Sequence, residues 1–169
     1  MKGAIFYSGK YGSTAQYAKW ISEATGLPLF DVNMDNEDPS RYDFLILGSS
    51  VIVGRLTIRK WIKRNLLKIN AQRLILFTVS GEPPGQQLNN WIAASLPNSL
   101  SSHMEHVALR GKLDLNKVSW WVRLLLRIGS WKSDDPETKN YMLNGFDLMD
   151  KSGIEPIKEL IKKINSNSQ

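Results

Sequence analysis

Continuously apolar runs alternate with amphipathic stretches along this chain, and that alternation predicts its elements. Ala4-Ile5-Phe6-Tyr7, Phe44-Leu45-Ile46-Leu47-Gly48 and Leu74-Ile75-Leu76-Phe77-Thr78-Val79 carry side chains suited to burial at successive positions, as strands covered on both faces require. Leu29-Phe30-Asp31-Val32 and Met104–Leu109 complete a set of five strands. Between them, apolar residues recur at helical spacing. Ala15, Ala18, Ile21 and Ala24 mark a first helix; Ile58, Trp61, Ile62 and Leu66 mark a second, with Thr57 placed to cap it. A third is expected around Gln87–Leu96 and a last near Glu155–Ile164. Strands alternating with helices imply an α/β fold, a doubly wound five-stranded parallel sheet. Ligands of such sheets bind beyond the strands' C-terminal ends.

Three loops leave those ends: Ser8–Thr14, Gly48–Leu56 and Thr78–Gln86. Each is rich in Ser, Thr, Gly or Pro, and their convergence is stronger evidence than any one alone. The first, Ser8-Gly9-Lys10-Tyr11-Gly12-Ser13-Thr14, feeds a buried strand straight into a helix N-terminus. Unpaired backbone N–H groups and the positive end of the helix dipole collect there. Three hydroxyls and two close-turning glycines complete what a phosphate cradle needs, although an ordinary Ser N-cap explains the same residues. Neither the dinucleotide fingerprint nor the Walker-type loop fits, because only Gly9 and Gly12 are present and Lys10 comes too early.

Composition narrows the chemistry. The 169 residues, 42% hydrophobic and 22% charged, suit one globular domain over 1–169. Zero cysteines exclude disulfides, thiolate catalysis and cysteine-ligated metal. His103 and His106 fall on opposite faces of a strand, which disfavours a shared metal, so no metal site is expected. No hydrolase nucleophile elbow occurs, and no catalytic residue can be named. The net charge of +6 favours nucleic acid, anionic lipid or an acidic partner. Met1-Lys2-Gly3 runs directly into a strand without a leader, so a cytoplasmic protein is expected.

The Ser8, Gly12 and Thr14 pattern resembles the flavodoxin phosphate loop, and Tyr42–Ser50 resembles the flavodoxin run into the second flavin loop. Closer still is the likeness to the flavodoxin-like, menaquinone-dependent protoporphyrinogen oxidases. It rests on Gly48, Ser50 and Gly54 in the second loop, Ala108-Leu109-Arg110 ending the fifth strand, and Asp134–Lys139 beyond it. The resemblance implies a flavodoxin-like sheet in the order 2-1-3-4-5, with an insertion at about 111–140. It implies FMN as cofactor, its phosphate held by Ser8 to Thr14. The flavin ring would lie between Ser49, Ser50, Val51, Ile52, Val53, Gly54 and Arg55 on one side and Thr78, Val79, Ser80, Gly81, Glu82 and Gly85 on the other. Flavodoxins usually flank the ring with aromatic side chains from these two loops. Here the loops contain none, so weaker binding follows unless another ring fills in. The implied function is an FMN-binding redox protein passing electrons from a substrate such as protoporphyrinogen to a quinone. The alternatives are an electron-transfer module docking on a protein partner, and a flavin sensor without catalysis.

The insertion has its own pattern. Within Lys117–Trp131, Ser119, Arg123, Arg127 and Ser130 form a polar stripe, opposite Val118, Trp121, Val122, Leu125 and Ile128, with Trp120, Leu124 and Trp131 alongside. A helix over Leu113–Trp131 is expected, next to the flavin end of the sheet. A core helix and an element facing a quinone or an anionic membrane surface, at the inner face of the membrane, both fit. No nucleic acid is expected, because the basic residues are not interleaved along an extended segment.

Overall fold

The computed structural model describes residues 1–70, 72–101, 104–116, 118–132 and 134–166. Its central sheet holds five parallel strands: β1 (Gly3–Ser8), β2 (Leu29–Asp31), β3 (Phe44–Ile52), β5 (Arg73–Ser80) and β6 (Met104–Arg110), in the order β2-β1-β3-β5-β6. Counting the parallel strands alone, this is the order 2-1-3-4-5. A two-residue β4 (Arg55–Leu56) folds back antiparallel on the end of β3.

Strand alternation sorts the side chains into two cores. From β3, Leu45 and Leu47 point to the layer of α2 (Arg59–Ile69) and α3 (Gln86–Ser95), where they meet Trp61, Ile62, Leu88 and Ile92. Phe44 and Ile46 point the other way, to α1 (Ser13–Thr25) and α7 (Glu155–Ser166), and meet Tyr17, Ile21, Ile157 and Ile161. Burial on both faces is what the unbroken apolar runs of β3 and β5 require. Gly48 in β3 has a local reason: a Cβ there would lie 2.3 Å from Cζ of Phe77 on the neighbouring strand.

The excursion after β6 is closed at its neck. β7 (Lys112–Leu113) pairs antiparallel with β8 (Phe146–Asp147), and Lys112 Nζ reaches Asp147 Oδ2 at 2.7 Å. Between them stand α5 (Trp120–Lys132) and α6 (Pro136–Asn144), packed on each other; α4 (Asn98–Ser101) is a single turn before β6.

Three expectations need correction. The insertion's helix starts at Trp120, not Leu113, because Leu113 is held in the β7–β8 ladder. Its polar stripe is also broken: Ser130 is buried and donates to the Arg127 carbonyl at 2.7 Å, while Trp121, Leu125 and Ile128 are exposed. Thr57 does not cap α2 either. Ile58 occupies the N-cap, and the Thr57 hydroxyl instead donates to the Ser8 carbonyl at 2.6 Å.

Candidate functional site at the loop edge of the sheet

The first loop ends in Gly12, whose φ of 95° places it in the left-handed region that glycine tolerates. It occupies the N-cap of α1, and no side chain caps the helix there. The Gly12 carbonyl accepts the first intrahelical bond, from the Gln16 N–H at 2.9 Å, and the Ser13, Thr14 and Ala15 amides before it have neither an intrahelical acceptor nor a capping side chain from Gly12. Gly9 is required for closeness: a Cβ there would lie 2.9 Å from Cβ of Thr14.

The hydroxyls are held from several directions. Ser8 Oγ accepts from Asn33 Nδ2 at 3.3 Å, and Ser13 Oγ accepts from the Lys112 backbone N–H at 3.1 Å. Both serines keep their own O–H free to donate. Thr14 is fully buried, and its Oγ1 lies 2.7 Å from Ser50 Oγ, tying the first loop to the second. Lys10 Nζ stands 5.5 Å from the centre of the Tyr11 ring and 5.6 Å from that of Trp121 on α5. Among the described residues, the Tyr11 hydroxyl is buried without a hydrogen-bond partner. This uncapped helix end, with two donor hydroxyls and a lysine beside it, fits the phosphate end of FMN.

In the second loop, Val53 and Gly54 both have positive φ, 49° and 67°, and make a tight hairpin that pairs Ile52 with Arg55. A β-branched residue in that region is strained, and Val53 is 71% exposed, so its side chain stands free at the loop tip. Ser49 is buried and receives the Ile58 N–H at 3.3 Å; Val51 pairs with Leu56 at the base of the hairpin. In the third loop, Thr78 and Val79 lie within β5 and are buried. Thr78 Oγ1 is 2.9 Å from His106 Nε2, and burial pushes the His106 imidazole below its ordinary pKa. Ser80 donates to the Glu82 carbonyl at 2.8 Å, shaping the turn towards Gly85, while His103 lies outside the described residues.

Aromatic rings reach both loops from elsewhere. A Cβ on Gly54 would lie 2.9 Å from Nε1 of Trp91 on α3, and one on Gly81 would lie 2.7 Å from Cζ of Phe146 on β8. Phe146 in turn packs on Tyr141, with ring centres 5.3 Å apart. Sequence reasoning looked for these rings inside the loops and missed them. Trp91 reads as one apolar position of a helix; only the Gly145–Phe146 pair, after a helical stretch, hinted at a returning strand.

Tyr17 was also missed. Its hydroxyl donates to the Arg110 carbonyl at 3.0 Å and accepts from the Asp150 N–H at 2.9 Å. One side chain of α1 thus ties down the residues that enter and leave the excursion. Burial pushes its phenol above the ordinary value, as it does for Tyr7 at the end of β1, where the carboxylates of Asp31 and Asp35 add to the effect.

The flavodoxin-domain model matches residues 4–140, and the chain belongs to the flavodoxin domain family. Solved structures similar to it include the Trp repressor binding protein from Bacillus subtilis, at 14% identity and TM-score 0.48, covering 65% of this chain and 83% of that one. Another is a flavoprotein in complex with FMN from Lactobacillus acidophilus NCFM, at 13% identity and TM-score 0.48, covering 64% and 91%. A third is a flavodoxin from the domain Archaea, at 18% identity and TM-score 0.49, covering 69% and 88%. No curated protein matches the chain.

Proposed function

We propose that this chain is an FMN-dependent redox protein that passes electrons from a reduced organic substrate, such as protoporphyrinogen, to a quinone. The observation that carries the reading is the convergence at one sheet edge of an uncapped α1 N-terminus and two further loops, the second of them joined to the first through Thr14–Ser50 and Thr57–Ser8 hydrogen bonds. FMN, when bound, supplies the electron chemistry; the protein supplies orientation and electrostatics. The first loop would hold the phosphate. The hairpin at Val53–Gly54 and the turn at Ser80–Gly85 would border the ring, with Trp91 and Phe146 firming the two loops from behind.

Support for an apolar substrate and acceptor comes from the excursion. It is anchored beside the first loop through Lys112 and Ser13 and beside the third through Phe146 and Gly81, and it carries a large apolar surface. A second reading, an electron-transfer module serving a protein partner, is favoured by the free-standing Val53, which leaves the second loop open to contact. FMN-reconstituted protein should oxidise protoporphyrinogen with menaquinone as acceptor. Reduction by a flavodoxin reductase with no turnover of protoporphyrinogen would select the module instead.

A further inference from the structure

We propose that α5 is an interfacial anchor that docks this chain on an anionic lipid bilayer, with the apolar face of the helix in the headgroup–acyl boundary. The proposal rests on α5 itself and stands whether or not the flavin reading holds.

The helix is packed by one side only. Val122 and Ser130 are buried, and Gly129 faces Met142 of α6, where a Cβ would lie 3.4 Å from the sulfur. The opposite side is apolar yet largely uncovered. Trp131 is 86% exposed and Trp120 76%, while Trp121, Leu124, Leu125 and Ile128 are each 41–50% exposed. At 3.6 residues per turn these six fall on one arc roughly 140° wide. An arc of that width on the outside of a domain costs free energy in water unless something covers it.

Charge identifies the cover. From Leu115 to Ser133 the sequence has four basic residues and no acidic one, so this segment contributes +4 of the chain's net +6. Arg123 and Arg127, one turn apart, flank the apolar arc on the side of Trp120. They line an open cleft of about 620 Å³ with Leu115, Trp120, Leu124 and Met142. Guanidinium groups beside tryptophan and leucine can hold a lipid phosphate while the neighbouring rings enter the acyl region. Among the described residues no helix is long and apolar enough to cross a membrane, so α5 would lie along the surface. A second copy fits less well, because pairing two such faces would bring both arginine pairs together. A small apolar ligand could fill the cleft but could not cover the arc out to Leu125. Trp121 packs against Lys10, so docking through α5 would also bring the loop edge of the sheet to the bilayer.

The test uses the full chain without added flavin, so that its result is independent of cofactor binding. Co-sedimentation with phosphatidylglycerol/phosphatidylcholine vesicles should show binding with a blue shift of tryptophan emission, and phosphatidylcholine alone should bind far less. Arg123→Gln and Arg127→Gln should each weaken binding roughly fivefold, and raised salt should weaken it further. A Trp120→Ser/Leu124→Ser/Ile128→Ser variant should lose binding. All three side chains are exposed, so its thermal unfolding should stay at the wild-type temperature, which confirms that the fold is intact. Absence of binding to anionic vesicles overturns the proposal. So does equal binding to both vesicle types, or a dimer in light scattering that the triple substitution abolishes in protein that ignores vesicles.

Discussion

Replacing Tyr17 by Phe removes one oxygen and leaves the ring, so it isolates what that hydroxyl does. The ring's edge contact with Trp20, at 5.2 Å between centres, survives the change. What is lost is the bond to the Arg110 carbonyl at 3.0 Å and the bond from the Asp150 N–H at 2.9 Å. Each contributes about 1 kcal/mol net, so the variant should be less stable by about 2 kcal/mol. In a chain of this size that lowers Tm by about 4–8 °C. Urea unfolding should show a lower midpoint with an unchanged slope, since no extra surface is exposed. The lost bonds also hold both ends of the excursion, so limited proteolysis between Gly111 and Asp147 should speed up in the variant.

The same residue makes a pH prediction. Burial raises the folded-state phenol pKa above its unfolded value of 10.0, so the fold favours the neutral form. Its contribution is fully present below pH 10 and is lost as pH rises through the raised pKa. Tyr17→Phe should therefore flatten, without abolishing, the alkaline loss of stability, because Tyr7 and Tyr42 are raised as well. A stability loss under about 0.5 kcal/mol with unchanged proteolysis would refute the reasoning, since it would show that water replaces the hydroxyl without cost.

Other substitutions probe the site and its support. Thr14→Val keeps the buried volume but cuts the link to Ser50; it should weaken FMN about fivefold in a fluorescence titration, the equivalent of about 1 kcal/mol. Gly48→Ala drives a methyl group into the buried Phe77 ring and should cost about 1–3 kcal/mol in urea unfolding. His106 is held neutral by burial, so its contribution is fully present above the unfolded pKa of 6.5 and is lost as pH falls below it. His106→Gln should reduce the acid-side slope of stability between neutral pH and pH 5.

The parallel core was legible because strands buried on both faces announce themselves as apolar runs, as β3 and β5 do. The loops were legible because Gly, Ser and Thr gather where the strands end. What stayed hidden was tertiary. Thr57 carries the signature of a helix cap, but the end of β1 offers its hydroxyl a closer acceptor in the Ser8 carbonyl. Ser130 shares the spacing of Arg123 and Arg127 yet turns inward, because its hydroxyl bonds the backbone of its own helix and needs no water. The rings beside the second and third loops come from Trp91 and Phe146, far away in sequence, and local pattern cannot register a contact that only chain return creates. Helical periodicity likewise cannot tell which side of α5 the domain covers; that depends on where α6 packs.

The account depends most on FMN binding through its phosphate at the start of α1. Paired titrations of the purified, flavin-free protein with FMN and with riboflavin, followed by flavin fluorescence, test this directly. The account predicts saturable binding of one FMN per chain, with riboflavin at least tenfold weaker because the first-loop amides and hydroxyls have no phosphate to hold. Equal affinity for the two flavins, or no binding of FMN at high micromolar concentration, would contradict it.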